Sequence, residues 1–153
     1  MSKALQSLST LAAIGLALTG LPQSSEARGV PARSGSSSFF GQASCWSPNG
    51  PTMTNASCAG EIPWYIPLIL DGSFNGWYGV TITATAVNTP HDVHCQVMSA
   101  DKNGTPTFAP GFSDMPVSGA SSDRSLSVWV PSMGSGMIDC WVSQLSSVHT
   151  VNY

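Results

Sequence analysis

Charged side chains are scarce in this chain. Lysine, arginine, aspartate and glutamate make up 8% of its 153 residues, against about 25% in an ordinary globular domain. Only five residues are lysine or arginine, and the formal net charge at pH 7 is −3. Nucleic acids and anionic membranes are recognised through clustered lysine and arginine side chains. The composition therefore predicts no nucleic-acid partner and no electrostatic attachment to lipid.

Long apolar runs are absent beyond the first 27 residues, so no later segment predicts a transmembrane helix, which needs about 20 apolar residues. The opening segment has the order of a secretory signal peptide: Lys3, an uncharged apolar stretch over 8–21, and a small-residue cleavage site ending at Ala27. We expect residues 1–27 to be removed, which leaves an exported protein, secreted or periplasmic, without membrane insertion. An anchor helix that is never cleaved is the alternative.

Helical periodicity is also missing, because outside the first 27 residues no stretch repeats apolar residues at i, i+3, i+4 and i+7. Apolar and polar residues alternate instead, most strictly over 80–86, where every second residue is threonine. Further strands are predicted at 62–70, 93–100, 126–130, 137–144 and 148–153. About seven short strands separated by turn residues predict one small all-β antiparallel sandwich, immunoglobulin-like or jelly-roll-like.

Residues 28–44 are rich in serine, glycine and arginine and have no apolar period. This composition predicts a flexible leader that becomes ordered around Phe39 and Phe40. The disulfide-stapled sandwich domain is then expected to cover residues 45–153.

The four cysteines all follow the predicted cleavage site, and an even number in a small exported chain indicates two disulfides. We expect Cys45 to pair with Cys58 and Cys95 with Cys140, with two other pairings open. The chain-entropy estimate gives these closures roughly 3 and 4 kcal/mol of stabilisation. A zinc site is the alternative, but the chain has no Cys-x-x-Cys pair and its spacings match no common zinc finger.

The segment HDVHCQV, residues 91–97, raises the question of a metal site. Successive side chains of a strand point to opposite faces, so His94 and Cys95 cannot bind one ion on a regular strand. Asp92 and His94 do share a face, about 6.6 Å apart along the strand, a spacing that two metal ligands can use. A third ligand would have to come from another strand, and the candidates are Asp139 and His149.

We favour the interpretation that this segment does not bind a metal ion. His91 and Asp92 are expected in a turn after Pro90, and His94 is expected as a solvent-facing strand residue. A single exposed histidine on a strand needs no ligand to explain it. The sequence thus predicts no metal and no other cofactor.

The tryptophans are the better lead to function. Alternation over 126–130 places Trp129 away from the core, and alternation over 138–142 does the same for Trp141. Exposed aromatic rings with polar neighbours can stack against sugars or anchor a protein partner. Trp129 and Trp141 are therefore candidate binding residues, unless segment 105–122 or the leader folds over them. The other tryptophans are expected in core or loop packing: Trp46, Trp64 and Trp77.

The second disulfide decides whether His94 and Trp141 can belong to one site. A Cys95–Cys140 bond between neighbouring strands would place them side by side. A bond between two facing sheets would place them on opposite outer surfaces. Disulfides of β-sandwiches more often cross between sheets, so we expect the second arrangement and do not combine the two residues.

Catalytic motifs are lacking. The chain has no Gly-x-Ser-x-Gly elbow and no phosphate loop, and Glu61 is its one glutamate after residue 27. We predict no catalytic residue. The favoured function is an exported, non-catalytic β-sandwich that binds a cell-surface or extracellular ligand, with a glycan or a surface protein as candidate partners, through Trp129 or Trp141.

Two alternative functions remain. A structural or assembly subunit could pair with a partner chain through segment 62–70, which is expected at a sheet edge because Pro63 and Pro67 cannot donate backbone hydrogen bonds. A small metal-dependent or hydrolytic enzyme would use Asp92 and His94.

Overall fold

The computed structural model describes residues 28–37, 39–70 and 75–153, and the predicted signal peptide lies outside them. In this described part, no helix is long and apolar enough to cross a membrane. The strands are β1 Gly29–Pro31, β2 Ser36–Ser37, β3 Trp46–Asn49, β4 Thr52–Asn55, β5 Ile62–Leu68, β6 Gly76–Thr85, β7 Val93–Ala100, β8 Pro106–Phe108, β9 Ser113–Asp114, β10 Ser121–Val130, β11 Ser135–Val142 and β12 Ser147–Asn152. Short 3-10 helices cover Ala32–Ser34, Phe40–Cys45 and Pro90–Asp92.

The strands form two antiparallel sheets of six strands each. The first sheet has the order β10-β6-β12-β4-β3, with β1 also paired to β12. The second has the order β2-β5-β11-β7-β8, with β9 also paired to β7. The two sheets pack as a sandwich, so the predicted all-β antiparallel sandwich is confirmed.

The core lies between the sheets and follows the predicted alternation. In β7, the side chains of Val93, Cys95 and Val97 are fully buried, whereas those of His94 and Gln96 are partly exposed. Strands β6, β10 and β11 alternate in the same way over most of their length. Because the period of a strand is two, one buried face fixes which residues point outward.

Both predicted disulfides are present, Cys45–Cys58 and Cys95–Cys140. Two disulfides in a small domain are typical of an oxidising compartment. Cys95 and Cys140 lie directly opposite each other on the neighbouring strands β7 and β11, with their Cα atoms 4.1 Å apart. The expectation that this bond crosses between the sheets is therefore wrong. Two cysteine side chains that both point into the core can lie on neighbouring strands of one sheet as well as on strands of facing sheets.

The segment expected to be a flexible leader packs against the sandwich instead. β1 pairs with β12, and the backbones of Arg28 and Tyr153 exchange two hydrogen bonds of 2.8 and 3.0 Å. Val30 and Ala32 are buried, and the Ala32 carbonyl accepts a 2.8 Å hydrogen bond from Trp64 Nε1. Backbone pairing and two small buried side chains hold this segment, which explains why its composition showed no apolar period.

The proline-bearing strand β5 lies next to the edge of the second sheet. It pairs with β11 along its length, but on its other side it pairs only with Ser36–Ser37. Pro63 and Pro67 lie two residues before and after Tyr65, so the backbone groups of all three residues point to the same side of the strand. The carbonyl oxygen of Tyr65 points toward Gly35, beside β2. The positions without an N–H donor thus fall on the sparsely paired side, as expected for proline in a sheet.

The side chain of Asn55 ties the loop after β4 to the second sheet. It is fully buried, and its Nδ2 donates to the carbonyls of Cys58, Gly60 and Val142 at 3.1, 3.2 and 3.0 Å. Its Oδ1 accepts from the Cys58 N–H at 3.2 Å. Asn55 begins an Asn-x-Ser triplet, but its amide is buried and hydrogen-bonded in the fold, whereas attached glycans lie on the surface.

Candidate functional site

The outer face of the second sheet brings together side chains that are far apart in the sequence. The register between β7 and β11 places Trp141 opposite His94 and Asp139 opposite Gln96. The register between β5 and β11 places Tyr65 on the other side of Asp139. Because the Cys95–Cys140 bond joins neighbouring strands, residues that we had expected on separate surfaces share one.

Three rings on this face form what we call the outer aromatic cluster: His94, Phe112 and Trp141. The rings of His94 and Trp141 are nearly parallel, at 10°, with centroids 6.5 Å apart. Phe112 meets both edge-on, at centroid distances of 5.1 and 6.4 Å. Phe112 is 45% exposed and Trp141 is half-buried. Segment 105–122, the expected cover of the tryptophans, thus adds a ring beside Trp141 and leaves it partly exposed.

Phe112 could not be assigned to the site from the sequence. It stands in a stretch rich in proline and glycine that shows no strand alternation. The short strand β9 follows it at once, and pairing of Asp114 with His94 on β7 brings Phe112 to the outer face. A two-residue strand is too short to give a periodic signal.

Polar groups surround the His94 ring, which is only 19% exposed and is therefore not the solvated residue expected. Its Nδ1 donates to the His91 carbonyl at 3.1 Å, and its Nε2 lies 3.8 Å from Glu61 Oε2. His91 is in the 3-10 helix Pro90–Asp92, which confirms the predicted turn. The Nδ1 of His91 is 2.7 Å from Asp114 Oδ2.

Asp139 lies beneath this surface and is only 5% exposed, although its parity is outward. Its Oδ2 accepts a 3.1 Å hydrogen bond from Gln96 Nε2, while its Oδ1 is buried without a hydrogen-bond partner. Burial raises the pKa of Asp139, because a desolvated carboxylate is disfavoured. Gln96, the indole of Trp141 and the nearby His94 offset part of that shift.

Asp92, the other candidate metal ligand, is engaged elsewhere. Its carboxylate accepts hydrogen bonds of 2.6 and 3.1 Å from the backbone N–H groups of Asn88 and Thr89 and closes a capping box. Burial raises the pKa of Asp92, but these hydrogen bonds outweigh that effect and lower it. His149, a candidate third ligand, lies on β12 in the first sheet, away from Asp139 on the second. Among the described residues, no group of three or more His, Cys, Asp and Glu side chains could hold a metal ion.

A second aromatic surface lies on the outer face of the first sheet, where Trp129 is directly opposite Trp77. Trp77 is 62% exposed and meets Phe108 edge-on at 5.2 Å, while Trp129 is half-buried. The expectation that Trp77 belongs to core or loop packing is wrong, because it has the outward parity of β6. The neighbouring pair, Gly79 and Ser127, is small. The two predicted binding tryptophans therefore lie on opposite sheets.

The remaining tryptophans, Trp46 and Trp64, are buried as expected, with ring centroids 4.6 Å apart. Together with Phe39 and Met53 they line a pocket of about 390 Å³. The indole N–H of Trp46 has no hydrogen-bond partner and is itself buried. Two serines, Ser36 and Ser37, also line the pocket, so its wall is mixed rather than purely apolar.

Comparison with known proteins gives a likeness of fold. No protein-family model matches the chain, and no curated protein matches it. Among solved structures, the family 35 carbohydrate-binding module from Clostridium thermocellum is similar with a TM-score of 0.50 at 10% identity, over 81% of this chain and 96% of the module.

Two larger proteins also share similarity with this chain. One is an isomalto-dextranase from Arthrobacter globiformis T6 complexed with panose, with a TM-score of 0.49 and 7% identity over 66% of this chain and 18% of that one. The other is the enzymatically active domain of tailspike protein 4 from bacteriophage CBA120, with a TM-score of 0.47 and 12% identity over 65% of this chain and 14% of that one. The chain spans less than a fifth of either protein. The likeness to the carbohydrate-binding module, at 10% identity, shows the fold alone, a two-sheet β-sandwich.

Proposed function

We propose that this protein is an exported, non-catalytic carbohydrate-binding domain and that sugar rings pack on the outer aromatic cluster. The observation that carries the proposal is the convergence of the rings of His94, Phe112 and Trp141 on one face of a β-sheet. Such rings offer a large, rigid apolar surface, which suits the C–H faces of a sugar. The sandwich fold shared with a carbohydrate-binding module agrees with this role.

Polar groups beside the rings supply partners for sugar hydroxyls. Binding sites for small molecules combine an apolar wall with a few fixed polar groups that set orientation. Glu61 is 39% exposed near His94 and can accept hydrogen bonds from hydroxyls. The hydrogen bond from Gln96 Nε2 to Asp139 fixes the Gln96 amide, so that its Oε1 is available as an acceptor.

The state of the carboxylic acids supports binding over hydrolysis. A glycoside hydrolase needs two carboxyl groups that flank the scissile bond. Asp139 is buried beneath the surface, and Asp114 is engaged with His91. We therefore expect no hydrolysis of a bound polysaccharide. Turnover that disappears in Glu61→Gln would contradict the non-catalytic part of the proposal.

The test is binding of the oxidised protein to a panel of polysaccharides and cell-envelope fractions, compared with the Trp141→Ala variant. Loss of a central aromatic contact typically costs about 2 kcal/mol or more, so we expect binding to weaken by at least about thirtyfold. Trp77→Ala is the comparison variant, since it removes an exposed tryptophan from the opposite sheet and so tests the other aromatic surface. Wild-type affinity in Trp141→Ala would contradict the proposal.

The Trp77–Trp129 surface is the second candidate for sugar contact. It offers two tryptophans on neighbouring strands, one of them the most exposed tryptophan among the described residues. If Trp129→Ala and Trp77→Ala abolish binding while Trp141→Ala does not, the sugar binds to the first sheet. If all three variants bind as the wild type does, neither aromatic surface is the site.

A further inference from the structure

The charge around the outer aromatic cluster points to one class of sugar. We propose that this site selects saccharides that carry free amines, such as glucosamine oligomers, over N-acetylated and acidic ones. The inference rests on the proposed function and names the ligand class of the same surface.

The second sheet carries acidic side chains, and its strands lack lysine and arginine. None of its six strands, β2, β5, β7, β8, β9 and β11, contains lysine or arginine. Three carboxyl groups accompany the aromatic cluster: Glu61, Asp114 and Asp139. An approaching ligand thus meets carboxyl groups on a sheet whose described strands contain no lysine or arginine.

Glu61 is the carboxylate best placed to receive a cation. It precedes β5, is 39% exposed, and lies 3.8 Å from His94 Nε2, beyond the length of a direct hydrogen bond. Asp114 is similarly exposed, at 42%, but its Oδ2 is 2.7 Å from His91 Nδ1. Asp139 is only 5% exposed and offers a ligand little surface. An ammonium group would therefore bind chiefly to Glu61 and secondarily to Asp114.

The rings add to the preference for a cation. An ammonium group near the face of tryptophan is attracted by the ring quadrupole, and this contribution is independent of the carboxylates. A saccharide amine stacked beside Trp141 would gain both interactions. An N-acetyl group keeps the stacking but loses the charge, and an acidic sugar would be repelled by the carboxylates.

The test compares three oligosaccharides of equal length: glucosamine, N-acetylglucosamine and galacturonic acid oligomers. Affinities are measured calorimetrically at one fixed pH at which the sugar amine is protonated. An exposed ion pair and a cation–π contact, each worth roughly 0.5–1 kcal/mol, together favour the amine by about 1–2 kcal/mol, so we expect it to bind about fivefold to thirtyfold more tightly than its N-acetylated match. This preference should shrink as ionic strength rises.

Glu61→Gln should remove most of the preference while the N-acetylated oligomer still binds. Asp123→Asn is the control, because it makes the same change in net charge on the opposite sheet and should keep the preference. Equal affinity for the amine and N-acetyl oligomers, or a preference that survives in both Glu61→Gln and Asp114→Asn, would overturn this inference and leave carbohydrate binding intact. Absence of binding to any of the three oligomers, together with none to the polysaccharide panel, would overturn the proposed function itself.

Discussion

Replacement of Asn55 by alanine should destabilise the protein by about 3 kcal/mol. The two N–H donors of its amide are shared among the carbonyls of Cys58, Gly60 and Val142, and its oxygen accepts from the Cys58 N–H. The side chain thus engages two donors and one acceptor, at about 1 kcal/mol each, and the Val142 partner is fully buried. A small domain has about 5–15 kcal/mol in all, so the loss is a large share of its stability.

The assay is urea unfolding followed by tryptophan fluorescence, with the free energy of unfolding extrapolated to water. Asn152→Ala is the matched control, because Asn152 is exposed on β12 and should change stability by less than about 0.5 kcal/mol. If Asn55→Ala costs less than about 1 kcal/mol, the amide does not fasten the loop to the second sheet as described. The variant Asn55→Asp provides a second test, because its carboxylate would face three carbonyl oxygens. This variant should be more stable at acidic pH, where the carboxylate is protonated, than at neutral pH.

Three further predictions concern stability. Burial lowers the pKa of His149 from 6.5. The contribution of the neutral imidazole to the free energy of unfolding is therefore present above about pH 6.5 and is lost as the pH falls through the lowered pKa. His149→Gln should reduce this acid sensitivity in unfolding curves taken across that range. Burial raises the pKa of Asp139 from 3.8. The contribution of the neutral carboxylic acid to the free energy of unfolding is therefore complete below that value and is lost as the pH rises through the raised pKa. Asp139→Asn should therefore gain stability relative to the wild type toward neutral pH, and parallel pH profiles of the two proteins would refute this. The paired replacement Cys95→Ala and Cys140→Ala should cost about 4 kcal/mol by the chain-entropy estimate, and an unchanged urea midpoint would count against a stabilising bond.

Strand parity was the part of the structure that the sequence specified best. Alternation gave the buried face of β7 and the outward direction of Trp129 and Trp141, because side chains of a strand can point only to one of two faces. The two disulfide pairings, expected with two others open, are also confirmed. Parity depends on a few neighbouring residues, which is why local patterns suffice for it.

Strand adjacency was beyond the reach of the same patterns. Parity says that Cys95 and Cys140 both point inward, but it does not say whether their strands are neighbours or face each other. The answer decides whether His94 and Trp141 meet. Phe112 was missed for a related reason, since a two-residue strand positions it and gives no periodic signal. The candidate site is thus built from long-range pairings that no short window of sequence contains.

The hydrogen-bonded contact between Arg28 and Tyr153 also has a practical consequence for engineering. In a chain shortened to residues 28–153, a short glycine-serine bridge could join these two positions because they already touch, and new ends could be opened at the exposed turn around Asn103. Such a circularly permuted chain would keep every strand of both sheets. It would also move the attachment point of a fusion partner from the first sheet, where β1 pairs with β12, to the turn between β7 and β8.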